Sequence, residues 1–184
     1  MILPVVVYGN PLLRKQSQEI TSDYPDIEGI VKNMYETMYH AKGVGLAAPQ
    51  IGLSICLFII DTKDMEEEKN KENAVKQTFI NPEIIELGGD NTVFSEGCLS
   101  VPEIHEDVTR KSKVTIRYQD EHFVEHTATF DGMPARVIQH EYDHLQGKTF
   151  IEYLSPLKKT LLKRKLNDIS SGKKTPFYKT KSNK

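Results

Sequence analysis

Apolar residues recur at helical spacing in several segments of the chain. The first apolar stripe follows Asp23-Tyr24-Pro25-Asp26 and repeats at intervals of three or four residues, which predicts a helix that stops near Gly43. A second helix is predicted to begin at Asp131, with Asp131 or a neighbour as its cap, and to stop at Gly147. A last helix begins at Ser155, followed by Pro156, and carries a stripe of leucines on one face.

Between these helices, shorter segments alternate between apolar and polar residues, as half-buried strands do. The predicted strands are 55–60, 78–80, 83–87, 92–94, 114–118 and 123–130, with a Gly-rich turn at 88–91. The segment 62–76 is dense in charge and has no apolar period, so we expect an exposed loop there. This order predicts an α+β fold, with antiparallel β-sheets packed around a central helix and a further helix at the C-terminal end.

The composition is that of a globular protein with one main core. The chain has 184 residues, of which 38% are hydrophobic and 27% charged, so we expect one domain. Its apolar runs are too short to cross a bilayer and its start lacks a secretory pattern, so a cytoplasmic protein is expected.

Its two cysteines make no disulfide framework. Cys56 is predicted to be a small buried hydrophobe, whereas Cys98 lies in a polar, Gly-containing setting.

Charge is distributed unevenly along the chain. Residues 158–184 contain ten Lys or Arg and one acid, a net +9, whereas the rest contains 14 basic and 25 acidic residues, a net −11. We predict a folded domain at 1–166 and a basic, disordered tail at 167–184. The tail either contacts a polyanion or is simply solvated, and both interpretations stay open. Because the tail contains no His or Cys and only one acidic residue, we expect it to be dispensable for activity on short substrates.

A candidate metal site lies in the second predicted helix, at His140-Glu141-Tyr142-Asp143-His144. A spacing of four residues places both imidazoles on one helical face, one turn apart, where they can bind the same metal ion. Glu141 is rotated about a quarter-turn from them and can act as a general base beside the ion. The pattern therefore favours a metal-dependent hydrolase.

Cys98 is the best candidate for a third ligand. A catalytic metal site needs three protein ligands and an open fourth position, and Cys98 lies in the polar turn Glu96-Gly97-Cys98-Leu99-Ser100. One thiolate and two imidazoles suit Fe²⁺, Zn²⁺, Ni²⁺ or Co²⁺. We expect one divalent ion, and this ligand set leaves both iron and zinc possible.

Taken together, three segments resemble the signature motifs of the peptide deformylase family, in that family's order. They are Gly43-Val44-Gly45-Leu46-Ala47-Ala48-Pro49-Gln50, Glu96-Gly97-Cys98-Leu99-Ser100 and Gln139-His140-Glu141-Tyr142-Asp143-His144. The resemblance extends from about Leu3 to Leu166. It implies a hydrolase that removes the N-formyl group from the formyl-methionine of newly made polypeptides and releases formate. It also implies contact with nascent peptides. Transient ribosome contact through the basic C-terminal helix and tail, a monomer, and no DNA or membrane partner are further expectations.

The resemblance also implies residue roles. Glu141 would act as general base and then as general acid. The side-chain amide of Gln50 and the backbone N–H of Leu99 would stabilise the charge that develops on the formyl oxygen. The ligands of the metal ion would be Cys98, His140 and His144.

Several residues are expected to form the substrate pocket. Gly43 and Gly45 have no Cβ, which allows the backbone to approach the substrate closely. Met133 and Val137 precede the metal-binding histidines on one helix and could wall an apolar pocket for the substrate methionine. Many family members have an Arg a few residues after the Cys motif, where His105 is the candidate here. The expected pocket residues are Gly43, Val44, Gly45, Gly97, Met133 and Val137.

Two other functions share part of the pattern. A zinc peptidase also uses His-Glu-x-x-His, but would have a third ligand downstream and an extended peptide cleft. A non-catalytic, ribosome-associated metal protein would fill the fourth coordination position with a protein ligand. Release of formate from a formyl-Met peptide would separate these alternatives from a deformylase.

Overall fold

The computed structural model of the protein describes residues 1–65 and 73–182. Its α-helices are α1 (Ile27–His40), α2 (Gly132–Leu145) and α3 (Pro156–Ser170), which confirms the three predicted helices. The Ser155 side chain caps α3 by accepting a hydrogen bond from the Lys158 N–H at 3.3 Å, whereas Asp131 precedes α2 without a side-chain cap. Residues 66–72, seven of the fifteen in the predicted charged loop, lie outside the described residues.

The predicted antiparallel sheet is confirmed. Its strands are hydrogen-bonded in chain order and run antiparallel throughout. They are β2 (Gly45–Ala47), β3 (Leu57–Asp61), β4 (Lys76–Cys98), β5 (Val101–Gln119) and β6 (Glu125–Asp131). A separate parallel pair joins β1 (Val5–Val6) to β7 (Thr180–Lys181), so the first and last parts of the described chain meet.

Strand β4 is one long strand, and the predicted turn at 88–91 is wrong. Gly88 pairs with Lys113 and Asn91 with Lys111, so two residues of β4 lie opposite one residue of β5, as in a β-bulge. Gly89 has a φ of +71°, which explains the Gly-rich composition without a chain reversal. The reversal comes only after Cys98, which pairs with Val101. The β4–β5 hairpin therefore presents Cys98 at its tip.

Helix α2 lies within the protein and not on its surface. Ala135 and Ile138 are fully buried in a cluster with Phe58 and Phe79 of the sheet. The opposite side of the sheet region packs against α1, whose Met38 is also fully buried. Burial of a helix that carries His, Glu, Gln and Arg requires partners for those polar groups. The fold therefore places the His-Glu-x-x-His motif in a buried, polar environment.

The predicted disordered tail is wrong for the residues that the structure describes, up to Ser182. Helix α3 continues to Ser170, with Ile169 in the core. Beyond it, the Val5 N–H donates to the Lys179 carbonyl at 2.9 Å, and Tyr178 is buried. Although this segment is basic, it contains one buried aromatic side chain, Tyr178, and a strand that pairs with β1. No described helix is long and apolar enough to span a membrane.

Candidate active site

The three predicted metal ligands meet at the end of β4 and on one face of α2. The ligand atoms of Cys98, His140 and His144 all lie within 4.8 Å of one another. Cys98 Sγ lies 3.3 Å from His144 Nε2, and the two imidazole centroids are 5.3 Å apart. The helical spacing and the hairpin tip together produce this cluster.

The chemistry of this cluster fits a divalent metal ion. Burial, reinforced by His140 and Arg110 nearby, lowers the pKa of His144 well below its usual value, so its imidazole is neutral, the form that binds metals. A thiol and two imidazoles suit borderline divalent ions. Among the residues that the structure describes, no fourth Cys, His, Asp or Glu completes the cluster. That leaves a coordination position open, as in catalytic sites.

A buried carboxylate fixes the orientation of His140. Glu96, 5% exposed, lies 2.9 Å from His140 Nδ1 and accepts hydrogen bonds from Arg110 and Arg136 at 2.6–3.0 Å. Burial raises the pKa of Glu96, but the hydrogen bonds from His140 and Arg110 outweigh it and lower that pKa to about 2. Because an ionised carboxylate can only accept, His140 must donate from Nδ1. Its Nε2 is therefore left as the ligand atom.

Arg110 joins this carboxylate to the metal-binding helix. Its Nη1 donates to Asp143 at 2.8 Å, and Asp143 also accepts a hydrogen bond from the Tyr153 hydroxyl at 3.1 Å. Sequence reasoning missed this network. Glu96 is part of a quoted motif and could have been singled out, whereas nothing in the sequence connects Arg110 to the site.

The side chain of Gln50 is held at both ends. Its Oε1 accepts the Ala47 N–H at 2.8 Å, and its Nε2 donates to Ser100 Oγ at 3.1 Å. Nε2 also lies 3.5 Å from Cys98 Sγ. Gln50 is 1% exposed, so its amide donor is fixed beside the metal cluster before any ligand arrives.

Glu141 is buried beside the cluster, in space that Gly45 leaves free. A Cβ on Gly45 would collide with the Glu141 carboxylate. Burial raises the pKa of Glu141 to about 7, even though His140 and Arg110 act to lower it. A carboxyl group with such a pKa can both accept and release a proton near neutral pH. Gly43 makes room in the same way for Leu99, whose Cδ1 would lie 2.8 Å from an added Cβ.

A cavity of about 540 Å³ opens onto these residues. It is lined by Gly43, Val44, Gly45, Gly97 and Val137 of the predicted pocket, and by Gln50, Leu99 and Glu141. Met133 is not among the residues that line this cavity, so its predicted place in the pocket stays a prediction. It lies in the first turn of α2, about one turn before Val137 and further along the helix from His140 and His144. The His105 imidazole lies over Gly97, with Nε2 2.5 Å from where a Cβ would be.

The C-terminal segment also lines the cavity, which sequence reasoning missed. Pro176, Phe177 and Tyr178 are lining residues, and the Tyr178 hydroxyl donates to the Leu99 carbonyl at 2.8 Å. We expected residues after Leu166 to be dispensable for activity, but three of them line the cavity, so that expectation is not supported. The two aromatic side chains in an otherwise basic segment were the available sequence signal.

Comparisons with known proteins agree with this geometry. The sequence profile of the polypeptide deformylase family matches residues 2–160. The chain is 50% identical to a peptide deformylase of Christiangramia forsetii, over 97% of this chain and 95% of that protein. It is also 50% identical to one of Flavobacterium johnsoniae, over 98% and 96% of the two chains.

A solved structure gives the same result for the fold. The crystal structure of a peptide deformylase from Legionella pneumophila is similar with a TM-score of 0.82 and 36% identity, and the match covers 96% of this chain and 100% of that one. The profile match includes the whole metal cluster, Gln50 and Glu141, but ends before the cavity-lining residues 176–178.

Proposed function

The chain belongs to the peptide deformylase family, and from that membership we propose how its residues perform the reaction. It is a hydrolase that removes the N-formyl group from the formyl-methionine of newly synthesised polypeptides and releases formate. The observation that carries the residue assignment is one cavity lined by Cys98, Gln50, His140 and Glu141, with His144 in the same ligand cluster.

We propose that Cys98, His140 and His144 hold one divalent metal ion, natively Fe²⁺, with Zn²⁺, Ni²⁺ or Co²⁺ as substitutes. When bound, such an ion lowers the pKa of a water molecule and polarises the formyl carbonyl. An iron form should lose activity in air, because both the metal and the thiolate oxidise.

Glu141 carries the protons in the proposed mechanism. It takes one proton from the attacking water as the water oxygen bonds to the formyl carbon. It then delivers that proton to the departing nitrogen as the carbon–nitrogen bond breaks, which releases formate and the free amino terminus. The pKa of about 7 that burial gives this carboxyl suits both steps.

Gln50 and Leu99 stabilise the charge that develops between those two steps. As water adds, negative charge accumulates on the formyl oxygen, and the Gln50 amide and Leu99 N–H donate hydrogen bonds to it. A preorganised donor of this kind is worth ~3 kcal/mol. The bonds from Gln50 to Ala47 and Ser100 hold its donor in one orientation, which supports this role.

The substrate methionine occupies the apolar part of the cavity in this proposal. Val137 and Val44 line it beside the His140 ring, and Gly43 and Gly97 let the substrate backbone approach. The exposed His105 lies at the rim, over Gly97, where it can contact the residue that follows.

Formate release from a formyl-Met peptide tests the function, with an acetyl-Met peptide of the same sequence as the control. A deformylase releases formate and leaves the peptide bonds intact. Cleavage of an internal peptide bond would indicate a zinc peptidase, and absence of turnover by metal-loaded protein would indicate a structural site. Metal analysis after anaerobic purification should give close to one iron per active chain.

The same metal analysis tests the ligands. Cys98→Ala and His144→Ala should each lose nearly all metal, because two remaining protein ligands hold an ion poorly. Full stoichiometric metal in either variant would contradict the ligand assignment.

We further propose that the protein works in the cytoplasm as a monomer and contacts the ribosome transiently through α3. Lys163, Arg164 and Lys165 are exposed on this helix, and the chain before residue 158 carries a net −11. Because the rest of the protein is acidic, a polyanion such as ribosomal RNA is attracted to the basic residues of this helix. The packed segment 167–182 belongs to the same catalytic unit as 1–166 in this proposal, and neither DNA nor a membrane is a partner.

A further inference from the structure

The segment that follows α3 returns to the active-site cavity. Pro176, Phe177 and Tyr178 line it, yet none of them belongs to a motif, and they lie after the matched region 2–160. Part of the cavity wall is therefore a feature that the catalytic motifs do not account for.

Tyr178 anchors this segment to the catalytic hairpin. Its ring packs with Val5, Ala41 and Leu99, and its hydroxyl donates to the Leu99 carbonyl at 2.8 Å. The backbone next to it is also held, because the Lys179 carbonyl accepts the Val5 N–H at 2.9 Å. The position of residues 176–178 is thus fixed relative to Leu99.

Phe177 presents its ring to the cavity mouth. The side chain is 67% exposed, although it packs edge-on against Tyr178 with centroids 5.3 Å apart. Lys42 Nζ lies 5.6 Å from the ring centroid, and the His40 ring lies 6.3 Å away. A large aromatic side chain held in place yet exposed beside a cavity offers apolar surface to a ligand.

The order of contacts along one segment shows which part of a substrate would meet Phe177. Glu141 lies against Gly45, Leu99 against Gly43, and Phe177 against Lys42. Exposure rises along these contacts, from the buried Glu141 through the half-buried Leu99 to the exposed Phe177. An extended peptide advances about 3.3 Å per residue. With the formyl group beside Glu141, the methionine occupies the cavity and the next residue reaches the mouth.

We propose that Phe177 is a specificity-determining residue that packs against the side chain directly after formyl-methionine, and that Tyr178 is the positioning residue that holds it there. The inference rests on the proposed function, since it takes the formyl group to be the reacting end. Contact with the Phe177 ring favours an apolar side chain, such as Leu, over Gly at the second position of the substrate.

Second-position preference in the full-length, metal-loaded enzyme tests the role of Phe177. The ratio of kcat/KM for a formyl-Met-Leu peptide to that for a formyl-Met-Gly peptide should be roughly ten or more in the parent. In Phe177→Ala the ratio should fall roughly tenfold, mainly through KM, because an apolar contact made by only one substrate is lost. Leu161→Ala is the matched control, since Leu161 is 71% exposed on α3 away from the cavity, and it should keep the parent ratio.

Tyr178→Phe tests the positioning role, because it keeps the ring but removes the donor to the Leu99 carbonyl. We expect both a reduced preference and a lower kcat, since Leu99 carries a proposed oxyanion donor. An unchanged ratio in Phe177→Ala would overturn the specificity role, and parent values of both parameters in Tyr178→Phe would overturn the positioning role. Absence of formate release from both peptides by the parent enzyme would instead refute the proposed function itself.

Discussion

Nδ1 of His140 donates a 2.9 Å hydrogen bond to Oε2 of Glu96, a carboxylate that also neutralises two buried guanidinium groups. Arg110 and Arg136 reach the same carboxylate from β5 and α2. Because this bond sets the tautomer and the ring orientation of His140, metal affinity depends on a residue that does not itself bind the ion.

We expect Glu96→Gln to bind its metal about 10–100-fold more weakly, as is typical when an outer partner of a ligand is removed. The variant should also unfold more easily, because Arg136 and Arg110 lose their shared buried counter-charge. Chelator competition measures the first effect and urea unfolding the second.

Glu106→Gln is a matched control for that variant. Glu106 lies directly opposite Glu96 in the β4–β5 register, but its partner Lys158 is on the surface. It should change neither metal affinity nor stability appreciably. Metal retention by Glu96→Gln equal to that of the parent would mean that the Glu96 bond does not orient His140.

Glu141→Gln should separate chemistry from metal binding. The amide has nearly the same shape but cannot accept the proton of the attacking water, so turnover should fall by roughly 10²–10⁴-fold. Metal content should stay at the parent level, because Glu141 is outside the Cys98 cluster. Formate release and metal analysis on the same sample check both parts. Metal loss in proportion to activity would show that Glu141 has a structural role.

Gln50→Leu should lower turnover by roughly 10²–10³-fold if the amide donates to the developing oxyanion. The metal should remain, since Gln50 only borders the cluster, with Nε2 3.5 Å from Cys98 Sγ. Ser100→Ala keeps the amide but removes one of its partners, so its loss of kcat should be smaller. Equal rates for the parent and Gln50→Leu would remove Gln50 from the mechanism.

The methionine pocket is tested by a pair of substitutions on α2. Val137 lines the cavity whereas Met133 does not, although both were predicted to do so. Val137→Ala should raise KM for formyl-Met peptides several-fold, because apolar surface that contacts the substrate is lost. Met133→Ala should leave KM unchanged. Steady-state kinetics with one formyl-Met peptide decide between them, and the opposite ranking would place the pocket elsewhere.

The parts of the site that were predictable from the sequence depend on short-range patterns. The spacing of His140 and His144 fixes their relation within one helix, and helix α2 itself follows from local start and stop signals. Cys98 and Gln50 were assigned from two motifs, each of which is a short contiguous segment that can be recognised without knowledge of the fold.

The parts that were missed depend on long-range contacts. Arg110 meets Glu96 across the β4–β5 hairpin, and no local pattern marks which arginine will do so. The Gly-rich segment 88–91 has the composition of a turn, and only its pairing with β5 shows a bulge. Tyr178 contacts Leu99 from a segment whose basic composition is typical of disordered chains. The segment is ordered because one aromatic ring is buried and the backbone pairs with β1, which compensate for its charge.

The ribosome contact makes a prediction about charge on α3. Lys158 is ion-paired with Glu106, and Lys159 donates to the Glu152 carbonyl, so reversing either would also break a contact within the protein. Lys163 and Lys165 are exposed on the same helix and form a cleaner test. The Lys163→Glu/Lys165→Glu variant should bind ribosomes roughly tenfold more weakly at low salt.

Its salt dependence should also be smaller, because fewer counterions are released when fewer basic groups meet RNA phosphates. Lys15→Glu/Lys32→Glu is the matched control, since it makes the same change in net charge at exposed positions away from α3. Truncation after Leu166 cannot serve this purpose, because it would remove Phe177 and Tyr178 from the cavity wall. Co-sedimentation with ribosomes at low and high salt compares the two double variants, and both should cleave a short formyl peptide at the parent rate. Equal weakening by both would show that net charge alone governs binding, and parent-level binding by both would leave α3 without a role at the ribosome.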